Sequence, residues 1–170
     1  MDVLLTNDDG IDAAGLGVLY RTLDAMDDVT VTAVAPVDDQ SAVGRALNHE
    51  VDIQTHEYGY AVDGTPTDCV VAALGALGID PDIVVSGCNR GANLGEYVLG
   101  RSGTVSAAVE AAFFDVPAIA VSLYVPLSED FVFAETETPA SAYALAANTT
   151  EYLVANGLDS GVFEHADYLN

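Results

Sequence analysis

The sequence predicts an α/β protein: a doubly wound, three-layer sandwich built on a mostly parallel central sheet. Strand-length apolar runs alternate with segments of helical period, the pattern of successive βαβ units. The chain has 170 residues, 51% of them hydrophobic, which suits a single domain over residues 1–170 with a proper core. Three polar or glycine-rich loops each follow a core strand, on the side where open α/β sheets bind ligands.

The first strand is Val3-Leu4-Leu5-Thr6, leading into Asn7-Asp8-Asp9-Gly10. A helix follows, with Asp12 placed to cap it and Leu16, Leu19, Tyr20 and Leu23 on one face. A second strand, Val29 to Ala35, is rich in Val and Thr and stops at Pro36. The polar loop from Val37 to Asn48 is longer than a connector needs, and loops of that length are often functional. Val51 to Gln54 and Tyr60 to Val62 read as a short hairpin. Thr65-Pro66-Thr67-Asp68 has a capping Thr, a Pro at the first position and an acid at the third, so a helix runs from there to about Leu77 and Gly78. Asp82 to Ser86 is a third core strand, followed by a Gly- and Asn-rich loop from Gly87 to Arg101. Ser102-Gly103-Thr104 opens an Ala-rich helix ending near Phe114. Val116 to Ser122 is another strand, and Thr138-Pro139 starts a long helix to about Ala155.

Charge narrows the setting. There are 27 acidic residues against 4 basic ones, a formal net charge of −23, and no lysine. The acids are dispersed among core-forming segments. At about 1 M salt the Debye length is only about 3 Å, so self-repulsion is screened, and the composition reads as adaptation to a halophilic cytoplasm. Binding to duplex nucleic acid is excluded, because cations supply most of that affinity. No run reaches the ~18 apolar residues of a membrane span, and the N-terminus carries neither a basic region nor a cleavage site; the expected location is the cytoplasm. Cys69 and Cys88 are expected as free buried thiols. His49, His56 and His165 lack zinc-ligand spacing.

Asp8 and Asp9 are adjacent carboxylates directly after a buried strand. By itself Asn-Asp-Asp-Gly is a good solvated turn. At a sheet crevice, however, two such groups repel unless a cation neutralises them, and Mg2+ or Mn2+ suits hard oxygen ligands. Ser41 and Asn89 can add neutral oxygens from the other two loops. Of the four arginines, Arg45, Arg90 and Arg101 lie in these loops and only Arg21 on a helix, a distribution that suits phosphate binding as well as chance placement at the surface. Ser102-Gly103-Thr104 serves equally as an N-cap and as an anion site. Asn93 lies in a loop whose glycines allow close backbone approach or simply make turns. A metal, a phosphate cradle and no evident nucleophilic triad point to phosphoester hydrolysis, with the metal neutralising phosphate charge and activating a water. Asp8 or Asp9 could instead accept a proton or act as nucleophile, and spacing does not choose. A receiver-type signalling domain would need a conserved-type lysine that the chain lacks, and so would a P-loop hydrolase.

Thr6-Asn7-Asp8-Asp9-Gly10, Ala35-Pro36 with Gln40-Ser41, Gly64-Thr65-Pro66-Thr67-Asp68-Cys69, Ser86 through Asn93, and Ser102-Gly103-Thr104-Val105 occur together in this order. This set resembles the SurE family of metal-dependent 5′/3′-nucleotidases over residues 1 to about 124. The resemblance implies a Rossmann-like domain and a phosphoric monoester hydrolase, acting on nucleoside 5′- and 3′-monophosphates and in some members on short polyphosphate. It implies one divalent cation per subunit, Mg2+ or Mn2+, held by Asp8, Asp9, Ser41 and Asn89, and a phosphate site lined by Asn7, Asn93, Ser102, Gly103 and Thr104. Homodimers or homotetramers are expected on the same ground. Family members usually continue beyond the equivalent of Asp167-Tyr168-Leu169-Asn170, so either a fragment or a chain without the usual C-terminal extension is expected. A truncated, non-catalytic nucleotide- or metal-binding module is the alternative.

Overall fold

The computed structural model describes residues 1–124 and 138–170. Its centre is β1 (Asp2–Thr6), a strand whose four residues after Asp2 are all buried. Such a run belongs in the middle of a sheet covered on both faces. It lies between β2 (Thr30–Pro36) and β5 (Ile83–Arg90), parallel to both, with Val3 opposite Val31 on one side and Ile83 on the other. The remaining strands are β3 (Ile53–His56), β4 (Gly59–Val62), β6 (Ala118–Leu123) and β7 (Tyr168–Leu169). Among the described residues they form one sheet in the order β3-β4-β2-β1-β5-β6-β7. Only the hairpin strand β3 runs antiparallel to its neighbour.

Side-chain alternation along each strand divides the core in two. Val3, Leu5, Val31 and Val85 face α1 (Ala14–Asp24) and α5 (Ala144–Asn156), where Leu16, Leu19, Leu23 and Val154 meet them. Leu4, Val34 and Val84 face α2 (Pro66–Val71) and α4 (Gly103–Phe113), where Val70, Val105, Ala108 and Ala111 pack. The alanines of α4 let its backbone come close to the sheet, which matters for the site at its N-terminus. The doubly wound, mostly parallel fold is as the sequence predicts. Cys69 and Cys88 are free and buried, and burial pushes the Cys88 thiol up to about 12. Among the described residues no helix is long and apolar enough to cross a membrane.

Four local expectations change. Asp12 does not cap α1: Ala13 occupies that position with an extended backbone and no side-chain bond, while the Asp12 carboxylate lies 3.2 Å from His56 Nε2. The turn closed by the Ala13 N–H on the Gly10 carbonyl delays the helix start by one residue. The strand β5 runs on through Gly87-Cys88-Asn89-Arg90, where glycine and asparagine had signalled a loop. Its register against β6 slips between Ser86 and Asn89, and a Cβ on Gly87 would lie 2.3 Å from the Val121 carbonyl, so only glycine fits that approach. The loop beyond holds one short helix, α3 (Glu96–Leu99). Finally, Thr138-Pro139 does not open the α-helix directly. A 3-10 turn over Ala140–Tyr143 precedes α5, and the Thr138 hydroxyl accepts instead from Arg90 Nε at 2.7 Å.

Asp24, Asp27 and Asp28 crowd the C-terminal end of α1, all exposed, where the helix dipole already disfavours anions. The unfolding midpoint is therefore expected to climb by several degrees as KCl is raised from about 0.1 M to about 1 M, while the Debye length contracts from about 10 Å to about 3 Å. A midpoint independent of salt in a thermal melt would remove the halophilic reading of the composition.

Candidate active site

The chain leaves β1 toward β2 and the hairpin, then crosses back to add β5 and β6 on the other side. The carboxyl ends of β1 and β5 therefore flank the topological switch point, where a doubly wound sheet opens a crevice. The turn after β1 is locked by one side chain. Asn7, fully buried, donates from Nδ2 to the Gly10 carbonyl at 2.8 Å and accepts the Gly10 N–H at 3.2 Å. Both polar atoms of Asn7 thus take part in holding the turn that positions its neighbours.

Those neighbours are the two carboxylates. Asp8 is only 4% exposed. The Thr104 hydroxyl donates to its Oδ1 at 2.6 Å, and its carbonyl accepts the Gln40 N–H at 2.7 Å, which joins the second loop to the first. Asp9 Oδ2 accepts the backbone N–H of Arg90 at 3.1 Å, which joins the third. Burial, chiefly, holds the Asp8 carboxyl above its usual range, against the opposing hydrogen bonds from Thr104. Burial and then the charge of Asp8 push Asp9 up to about 6.

The helix α4 comes in from above. Its N-cap Ser102 accepts the Val105 N–H at 3.1 Å. A Cβ on Gly103 would lie 2.7 Å from Asp8 Cβ and 3.0 Å from Asp8 Oδ2, so glycine is what lets the positive end of the helix touch the carboxylate. Asn93, buried, donates to the Thr104 hydroxyl at 3.3 Å and to the Ser122 hydroxyl at 2.9 Å. Asn89 donates from Nδ2 to the Gly91 carbonyl at 2.7 Å, leaving its amide oxygen as an acceptor. The long second loop is pinned at its far end by the capping box of α2. The Asp68 carboxylate takes the Thr65 N–H, the Asn48 N–H and Asn48 Nδ2 at 2.8, 2.8 and 2.6 Å.

These arms enclose a cleft of about 170 Å³. Of the residues expected from the sequence, Asp8, Ser41, Asn89, Arg90, Asn93, Arg101 and Ser102 line it. Asp9 is tied to it through Arg90, and Gly103 and Thr104 back Asp8. Arg45 is not brought there: it pairs with Glu110 of α4 at 2.6 Å and lies over the Phe113 ring at 4.7 Å. Among the described residues, those lining a larger apolar groove of about 490 Å³ between β6 and α5 are all uncharged. Three participants escaped the sequence reading: the Gln40 N–H, the Thr138 hydroxyl beneath Arg90, and Tyr97, whose ring stacks under Arg101. Only backbone placement reveals the first two.

The donor set fits a hard divalent cation. Two crowded carboxylates that bind protons more readily than usual are short of positive charge, and the neutral oxygens of Ser41 and Asn89 face the same cleft. Among the described residues no three His, Cys, Asp or Glu side chains cluster as a metal cage, so neutral ligands and water would have to complete the shell. Oxygen donors of this kind suit a hard divalent cation.

Residues 3–170 match the family model for survival protein SurE. The chain belongs to the SurE family. Among its relatives, the 5′-nucleotidase SurE of Haloarcula marismortui is 64% identical over 99% of this chain, and that of Natronomonas pharaonis is 64% identical over 100%. The chain spans 62% and 65% of the length of those two proteins. The crystal structure of the SurE protein from Aquifex aeolicus superposes with a TM-score of 0.72 at 33% identity, over 92% of this chain and 61% of that one. Both the family resemblance and the fold expected from the sequence are borne out, and several of the SurE relatives come from halophilic archaea.

Two outcomes follow from this geometry. Gly103→Ala is expected to destabilise the fold by about 1–3 kcal/mol, measured by denaturant unfolding in molar KCl, because the added methyl overpacks against Asp8. A variant as stable as the parent would show that Asp8 is free to move. The second concerns pH. Because the folded-state pKa of Asp9 is raised, its contribution to metal-free stability is full below about 3.8 and is lost as pH rises through about 6. A cation needs the ionised form, so the gap between unfolding midpoints in Mn2+ and in EDTA should widen from about pH 5 to about pH 7. A gap independent of pH would separate cation binding from Asp9.

Proposed function

We propose that this chain carries the catalytic site of a divalent-metal-dependent phosphomonoesterase acting on nucleoside 5′- and 3′-monophosphates, with short polyphosphate as a further substrate. The observation that carries the reading is the meeting of the buried Asp8 carboxylate, two arginines and the N-terminus of an eleven-residue helix at one switch-point cleft, with the half-buried Asp9 held beside it by the Arg90 N–H. The names of the SurE relatives support the substrate class. Asp8, Asp9, Ser41 and Asn89 are the residues that would hold the cation. A bound Mg2+ or Mn2+ would neutralise phosphate charge and lower the pKa of a water.

The chain's own residues supply the rest. Arg90 and Arg101 offer forked donors to phosphate oxygens, and Ser102 with Gly103 adds the positive helix end. Thr104 fixes the rotamer of Asp8. Asp9, with its pKa raised to about 6, is suited to take a proton from an attacking water near neutral pH. Arg45 enters this scheme only by leaving Glu110. Assembly into homodimers or homotetramers and a cytoplasmic location belong to the same reading.

The test is phosphate release from a panel of nucleoside monophosphates in molar KCl with Mn2+ or Mg2+. Asp9→Asn is expected to lower turnover by at least roughly 100-fold while leaving the circular dichroism spectrum unchanged. Activity near that of the parent in the folded variant would defeat the cation assignment. Because the chain spans under two thirds of its relatives' length, a second reading has footing: the cleft binds nucleotide and metal without turnover. Binding of Mn2+ with no phosphate released from any substrate would select it.

A further inference from the structure

The third loop ends in a pair of side chains that the phosphate cleft does not account for. Tyr97, in α3, exposes 75% of its surface, and Leu94 three residues earlier exposes 70%. Isolated exposed apolar residues are ordinary. What sets Tyr97 apart is how it is held. The Arg101 guanidinium carbon lies 3.9 Å from the centre of its ring, and Arg101 Nη1 donates to the Tyr97 carbonyl at 2.9 Å. The Arg101 carbonyl in turn accepts the Gly44 N–H at 3.0 Å, and the Ser102 N–H bonds the Val98 carbonyl at 2.9 Å, so the turn carrying both side chains is tied to the second loop and to the start of α4. Arg101 itself lines the cleft beside Asp8, Asn89 and Ser102.

Ser102 and Arg101 both line the cleft, and the Arg101 guanidinium lies against the aromatic plane of Tyr97. A nucleoside monophosphate likewise carries an aromatic plane a short distance from its phosphate. We propose that Tyr97, braced by Arg101, is the platform on which the substrate's base stacks, which makes the site selective for nucleoside phosphates over simpler phosphate esters. The inference rests on the nucleotidase reading above and extends it to the base. A stacked ring offers a π-face to any base and no hydrogen-bond code, so adenine, guanine, cytosine and uracil are all accepted, with purines favoured by their larger overlap. The charge of Arg101 lies against the ring and strengthens the plane without adding a base-reading group.

The chain has no tryptophan, so Tyr97→Trp introduces a single indole at the platform and keeps an aromatic ring there. Adenosine 5′-monophosphate is expected to quench that fluorescence in molar KCl, and ribose 5-phosphate at the same concentration is not. In steady-state assays, the ratio of kcat/KM for adenosine 5′-monophosphate over that for ribose 5-phosphate is expected to fall roughly tenfold in Tyr97→Ala and to return in Tyr97→Phe. Quenching by the nucleotide without phosphate release from either ester would keep the platform and remove the hydrolase. Hydrolysis of both esters at a ratio that Tyr97→Ala leaves in place would remove the platform and keep the hydrolase. An indole blind to the nucleotide, in a protein that hydrolyses neither ester, would remove both.

Discussion

The contact between Asp8 and the first turn of α4 is the constraint on which the rest of the site depends. A carboxylate 4% exposed at the end of a central strand is unfavourable unless something compensates its charge. The Thr104 hydroxyl at 2.6 Å and the helix dipole do so, and both reach Asp8 only because Gly103 has no side chain. The compensation is partial, since Asp8 and Asp9 both remain harder to ionise than free aspartates. That residual deficit of positive charge is what a bound cation would relieve.

Each of the three loops is fastened to this contact by its backbone. The second loop reaches Asp8 through the Gln40 N–H and is anchored behind by Asp68, while the third reaches Asp9 through the Arg90 N–H. Backbone fastening leaves the side chains of those loops to make contacts of their own. Arg90 and Arg101 both line the cleft, Arg90 with its N–H on Asp9 and its Nε on Thr138, Arg101 with its carbonyl on the Gly44 N–H and its Nη1 on the Tyr97 carbonyl. Arg45 shows the limit, since with Glu110 and Phe113 within reach its guanidinium is drawn from the cleft to the flank of α4. In a chain with 4 basic residues, where each cation settles decides much of the local field.

Much of this was legible beforehand. The buried run Val3 to Thr6 could only be a central strand, and Thr65-Pro66-Thr67-Asp68 could only begin a helix, because each signal is local and short-range sterics enforce it. The adjacency of Asp8 and Asp9, and the three loops that follow core strands, followed from the parallel topology. The misplacements have a common origin. Gly87 read as the start of a loop, yet its missing Cβ serves a close approach to Val121, a residue 34 positions away that belongs to another strand. Asp12 read as a cap and Thr138 as part of a helix start, yet their partners are His56 and Arg90, supplied by elements distant in sequence. A polar side chain near a helix start has two possible uses, and only the neighbours in space choose between them.

The sequence by itself determined the fold class, the acidic and lysine-free surface, and the roster of oxygen and guanidinium donors on the three loops. These are consequences of periodicity, composition and residue type, which the chain carries before it folds. The tertiary structure decided which donors meet. It turned Asn7 inward as a clasp and Gly103 into the point of contact with Asp8, sent Arg45 to Glu110, and set Tyr97 under Arg101. Those choices depend on distances of 2.6 to 3.9 Å between elements whose separation along the chain ranges from three residues to ninety-six, and packing alone sets them.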